Sequence, residues 1–180
     1  VAAFTTAMRV DQLFTQVYLA LGATMAVFAA QNFGAKKLSR IKEGAKASIL
    51  IAFITSIFSI LVLTFFSGDL VALFMSEVDP EVVRLAEIYL HILMIFFFFL
   101  GVLLIFRNIL QGMGSVMAPL ASGIAELIAR TACAFIFGHY FGYVGICTAT
   151  PAAWAAAALV LFIGYKISLI KHVKTIRKRA

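Results

Sequence analysis

Ser48-Ile49-Leu50-Ile51-Ala52-Phe53-Ile54-Thr55-Ser56-Ile57-Phe58-Ser59-Ile60-Leu61-Val62-Leu63-Thr64-Phe65-Phe66 is a stretch without one charged side chain. A run of about 20 mainly apolar residues crosses roughly 30 Å of hydrocarbon as a helix. The flanks have opposite sign. Lys36, Lys37, Arg40, Lys42 and Lys46 stand against Glu43 on one side, and Asp69, Glu77, Asp79, Glu81 and Glu87 stand against Arg84 on the other. Loops rich in Lys and Arg stay cytoplasmic, so the basic flank is expected inside and the acidic flank outside.

Working outward, four more stretches qualify as spans. The first covers about 2–31 and is uncharged from Gln12 onward; the others cover 88–106, 118–137 and 147–165, and Glu126 and Arg130 interrupt the fourth. The fold class read from this pattern is an all-α integral membrane protein with five transmembrane helices in a single membrane domain over 1–180. Arg107 then falls inside, the uncharged turn Gly138–Gly145 outside, and the basic tail 166–180 in the cytoplasm. A multi-pass inner-membrane protein is expected, with its N-terminus outside and its C-terminus inside. In the tail, Ile167, Ile170, Val173 and Ile176 recur every three residues among lysines and arginines, which fits either a helix lying on anionic lipid or a solvated terminus.

Composition excludes other classes. Of 180 residues, 63% are hydrophobic and 13% charged, with a mean hydropathy of +1.05, whereas soluble domains keep about a quarter of their residues charged. The net charge of +7 sits in short runs beside apolar spans with no aromatic–basic interleaving, so lipid rather than nucleic acid is the expected partner. Cys133 and Cys147 have no metal-ligand spacing. No metal site, cofactor or catalytic constellation is expected, hence no enzyme. The chain opens on Val1 with no initiator Met, so it is expected to lie inside a longer protein.

Several local motifs stand in a particular order. The first span ends in Ala29-Ala30-Gln31-Asn32-Phe33-Gly34-Ala35-Lys36-Lys37, where a glycine is expected to stop the helix. The third ends in Arg107-Asn108-Ile109-Leu110-Gln111-Gly112-Met113-Gly114, and Glu126-Leu127-Ile128-Ala129-Arg130, Gly142-Tyr143-Val144-Gly145 and Trp154 follow. Five such patterns in register resemble the multidrug and toxic compound extrusion (MATE) family, over nearly the whole chain. The helix-end residues Gln31, Asn32, Gly34, Arg107, Gln111 and Gly112 carry much of that resemblance.

What the resemblance implies is specific. Family members have twelve helices in two six-helix lobes around a cleft, and these motifs look like those of the C-terminal lobe, leaving an N-terminal lobe as the missing partner. The implied activity is efflux of cationic or lipophilic, drug-like small molecules by alternating access, coupled to H+ or Na+ as an antiporter. In one branch the C-terminal lobe carries a cation-binding carboxylate where this chain has Phe96, so a coupling carboxylate is expected in the other lobe.

The polar groups within the spans are the candidates for the substrate or ion pathway, because an ionisable group at bilayer centre costs about 2.5–3.5 kcal/mol and should face a cavity or a partner. Glu126 and Arg130 are four apart on one helical face with Ser122, fitting a structural ion pair or a direct role in transfer. Arg9 and Asp11 are two apart and project from nearly opposite sides. Asp11 lies roughly 31 Å along the helix from Asn32, near the outer boundary, either as an interfacial acid or lining the outward cleft. Phe96 stands in a four-phenylalanine run that covers all sides of a helix. His91, near the outer end, reads as a hydrogen-bonded interface residue or a proton relay. A lipid-linked oligosaccharide flippase of similar two-lobe architecture is the alternative function, though such proteins present more cationic residues to their cavity.

Overall fold

The computed structural model describes the backbone of residues 2–75 and 78–179 and the side chains of 3–75 and 78–171. Glu77 and the outer tail side chains, Val173 and Ile176 among them, lie outside the described residues. Four helices follow one another: α1 (Ala2–Gly34), α2 (Leu38–Ala72), α3 (Pro80–Gly112) and α4 (Met117–Arg179). Each is long and apolar enough to cross a membrane. They exceed the spans read from sequence, since α2 takes in Arg40, Lys42, Lys46 and Asp69. Its 35 residues extend about 52 Å at 1.5 Å per residue, well beyond a hydrocarbon layer, so both charged ends run on past the lipid tails.

Four helices stand where five were expected, because the turn anticipated over 138–145 is helical apart from one residue. Gly142 has φ 56° and ψ −129°, a conformation that L side chains avoid, and it reverses α4 without any loop. A methyl carbon added at Gly145 would overlap the Phe137 carbonyl, and one at Gly164 would stand 2.6 Å from Ala118 Cβ. Residues 118 and 138 thus lie beside 164 and 146, so α4 folds into two antiparallel arms, 117–141 and 143–179.

The centre of the bundle is α3, which packs against each of the other helices. Its Phe97 is fully buried with its ring 6.2 Å from Phe14, 6.0 Å from Tyr18 and 6.4 Å from Trp154, joining α1 and the second arm of α4. The middle of the inner face of α2 is made of small residues, Ala45, Ser48, Ala52, Ser56 and Ser59, the composition that lets membrane helices approach where lipid provides no hydrophobic drive. Ser56 Oγ donates to the Ala52 carbonyl at 2.7 Å and lies 2.9 Å from Tyr18 Oη, so one hydroxyl pair pins α1 to α2. Phe58 and Phe65 point outward, 63% and 74% exposed, as expected where lipid is the solvent.

The helix ends follow from backbone chemistry. α1 ends at Gly34, where the stop was expected, but Gly34 is its last helical residue rather than the left-handed one. The reversal falls on Lys36, φ 57°, with Lys37 N–H donating to Asn32 O at 2.8 Å and Lys36 N–H to Phe33 O at 3.0 Å. These two bonds satisfy the last carbonyls and hold Lys36 in the left-handed conformation that closes the helix. The end of α3 repeats it around Gly114, with Ser115 N–H on Leu110 O and Gly114 N–H on Gln111 O. At the other end of α3, Asp79 caps the Glu81 N–H at 2.9 Å and Pro80 opens the helix.

Candidate functional site

Arg107 lies five residues before the end of α3, and Glu126 lies nine residues into α4, roughly 14 Å from its start. The short connection between these helices sets them side by side, and the long Arg107 side chain spans the remaining offset along their axes. Arg107 donates from a terminal nitrogen to Glu126 Oε2 at 2.9 Å, and Arg130 donates to Glu126 Oε1 at 2.8 Å. One carboxylate thus bridges two guanidiniums on two helices. The side chains are 27%, 21% and 47% exposed for Arg107, Glu126 and Arg130, so the group is half sheltered and opens to one side. Arg107 Nε is buried without a hydrogen-bond partner among the described residues.

The cluster borders an open groove of about 550 Å³ shared with Gln111, Pro119 and Gly123. Ser122, expected on the same face, is fully buried and turns its hydroxyl back onto the Pro119 carbonyl at 2.7 Å. Glu126 and Arg130 pair as their spacing implies. Arg107, known from sequence only as part of a helix-end motif, is the member that spacing along one helix could not supply. The signal available was a third charge at the end of an apolar span.

The rest of that motif serves packing. A carbon added to Gly112 would overlap the Ala26 carbonyl, so the end of α3 rests directly on the backbone of α1. Asn108 donates to Leu104 O at 2.8 Å, and Asn32, buried, donates to Phe28 O at 2.8 Å. Gln31 and Gln111 are exposed beside these ends.

The other candidates lie apart. Arg9 is exposed, whereas Asp11 is half-buried and accepts from the Thr15 hydroxyl at 3.3 Å, consistent with their opposite directions on α1. Phe96 is half-buried, its ring 5.9 Å from Phe99, and it is the neighbouring Phe97 that occupies the core. His91, read from sequence as a hydrogen-bonded interface residue or a proton relay, belongs to a second polar cluster whose other members sequence reasoning missed: Ser67 Oγ donates to Glu87 Oε1 at 3.0 Å and lies 3.4 Å from His91 Nε2, which is 3.3 Å from Leu63 O. Glu87 and His91 share one face of α3 at four-residue spacing, the available signal, but Ser67 comes from α2 and no local pattern announces it.

With this geometry in view, known proteins give the context. Solved structures superpose closely: the inward-facing conformation of a multidrug resistance MATE family transporter of the MOP superfamily has a TM-score of 0.86 at 22% identity over 96% of this chain and 40% of that one. Its outward-facing counterpart gives 0.87 at 20% identity, over 96% and 39%. Among curated relatives, a protein named FAD transporter from Shewanella oneidensis is 28% identical over 152 residues, 84% of this chain and 33% of its own. The probable multidrug resistance protein YoeA of Bacillus subtilis is 27% identical over 150 residues, 82% of this chain and 32% of its own. The chain thus spans about a third of the length of the curated relatives it matches. The family model described as MatE matches residues 1–136, the larger part of the sequence, and this multi-pass membrane chain belongs to the MATE family.

Proposed function

We propose that the protein carrying this chain is a cation-coupled multidrug efflux antiporter, exchanging H+ or Na+ for cationic or lipophilic compounds by alternating access. In this reading residues 1–180 form most of the C-terminal six-helix lobe of a twelve-helix transporter, and an N-terminal lobe completes the cleft. The two arms of α4 cross separately, so the chain makes five crossings of the inner membrane with its N-terminus outside and its C-terminus in the cytoplasm.

The observation that carries the reading is Glu126 held between Arg107 and Arg130 beside an open groove, on two helices long and apolar enough to cross a membrane. Ionisable groups on membrane helices that pair with one another and face a groove mark substrate and ion pathways, because lipid-facing placement is costly. The relative named as a multidrug resistance protein supports export of small molecules. The basic run 36–46 set against the acidic run 69–87 supports the orientation. Reporter fusions after Glu77 and after Arg179 are expected on opposite sides of the membrane; the same side for both would sink the topology.

The activity is tested with the full-length protein in liposomes loaded with a cationic dye. Dye movement driven by an imposed pH or Na+ gradient is expected, and none under either gradient would refute the proposal. A second reading has its own support: two guanidiniums against one carboxylate leave the cluster net positive, which suits an anion, and a relative is named for FAD. Liposomes loaded with FAD that release it while retaining the dye would select that reading.

A further inference from the structure

At the end of the bundle that carries the basic run, α2 and the second arm of α4 diverge over α3 and leave a groove of about 590 Å³. Its floor is aromatic: the Phe106 ring lies 5.6 Å from Phe162 and 4.9 Å from Tyr165. Three cations stand on its rim. Lys42 and Lys46 are one turn apart on α2, and Lys166 comes from α4 with its ammonium 5.2 Å from the Phe162 ring centroid. No carboxylate lies within salt-bridge distance of any of the three among the described residues.

Three like charges gathered at one opening repel, and an apolar slot left beside them has no use for water. Both features are relieved by a single molecule with an anionic head and a hydrocarbon body. A groove of several hundred cubic ångströms falls in the size range of small-ligand sites, and basic pockets between membrane helices suit the head groups of anionic lipids. The chain's own tail does not fit as occupant, since Lys174, Arg177, Lys178 and Arg179 would add charge of the same sign. We propose that this groove is a binding site for an anionic phospholipid. Its phosphate is held by Lys42, Lys46 and Lys166, and one acyl chain lies on Phe106, Phe162 and Tyr165.

The test uses the full-length protein in phosphatidylcholine nanodiscs doped with phosphatidylglycerol, with bound lipid counted by native mass spectrometry. Phosphatidylglycerol retained at least fivefold over phosphatidylcholine of the same chain length is expected, and the Lys46→Gln/Lys166→Gln double variant should lose that preference. Equal retention of the two lipids, or a preference unchanged in the variant, overturns the site. Inorganic phosphate competing as well as the lipid would show that an anion alone is recognised, and would also overturn it. A phosphatidylglycerol with a diazirine on its acyl chain reads the unmodified protein, in case the variant does not accumulate. Labelled peptides should include Phe106 or the 162–170 segment; labelling confined to other segments, or none, refutes the proposal.

Discussion

Glu126 is where single side chains matter most. Removing its charge leaves Arg107 and Arg130 facing each other at one site, and breaking a fully buried pair costs about 3–5 kcal/mol. These groups are partly exposed, so Glu126→Ala is expected to cost about 1–3 kcal/mol, seen as lowered membrane abundance and a lower Tm of the full-length protein. A simple pair would be restored by the charge-reversed double variant, Glu126→Arg with Arg130→Glu. Here reversal sets a second guanidinium against Arg107, so the double variant is expected to be no more abundant than Glu126→Ala. Recovery to normal abundance would show that Arg107 takes no part. The pair of residues four apart was legible in the sequence because helical spacing is local. Arg107 and Ser67 were not, because each meets its partner across two helices, and a hydropathy profile has no information on which faces meet.

At the level of elements, what was legible is what lipid dictates: every span read from composition lies within a helix, because mainly apolar runs of that length must satisfy their backbone internally. The boundaries were not legible, because helices continue past the hydrocarbon, as α2 does with Lys42 and Lys46 still in regular turns. Nor was the Gly142 reversal, where one residue's φ replaces the loop that a turn of eight uncharged residues led one to expect. Gly142→Ala is expected to cost about 1–3 kcal/mol through backbone strain, measured as a fall in Tm. An unchanged Tm would mean that the turn relaxes freely. The meeting of the arms is checked by Gly164→Leu: its first carbon would already stand 2.6 Å from Ala118 Cβ, so overpacking is expected to destabilise by about 1–3 kcal/mol, measured as a fall in Tm. An unchanged Tm would separate the arms. Gly112→Val tests the meeting of α1 and α3: overpacking against the Ala26 carbonyl is expected to destabilise by about 1–3 kcal/mol.

For the whole molecule, the proposed two-lobe reading makes this bundle incomplete on its own, and polar side chains such as Arg130 and Gln31 stand exposed on it. Cells expressing only these 180 residues are therefore expected to gain no drug resistance, measured by growth in a cationic antimicrobial dye; growth above the empty-vector control would refute the need for a second lobe. The central position of α3 also has a consequence in time. Synthesis proceeds at about 5–20 residues per second, so the 40 residues from Leu73 through Gly112, which follow α2, take roughly 2–8 s to emerge. Through that interval α1 and α2 reside in the bilayer before the helix that unites them is complete, with the Tyr18–Ser56 hydroxyl pair as one early clasp between them. Membrane insertion of this chain is thus a waiting process, and the ribosome's pace across α3 sets how long the first two helices stand open to proteolysis.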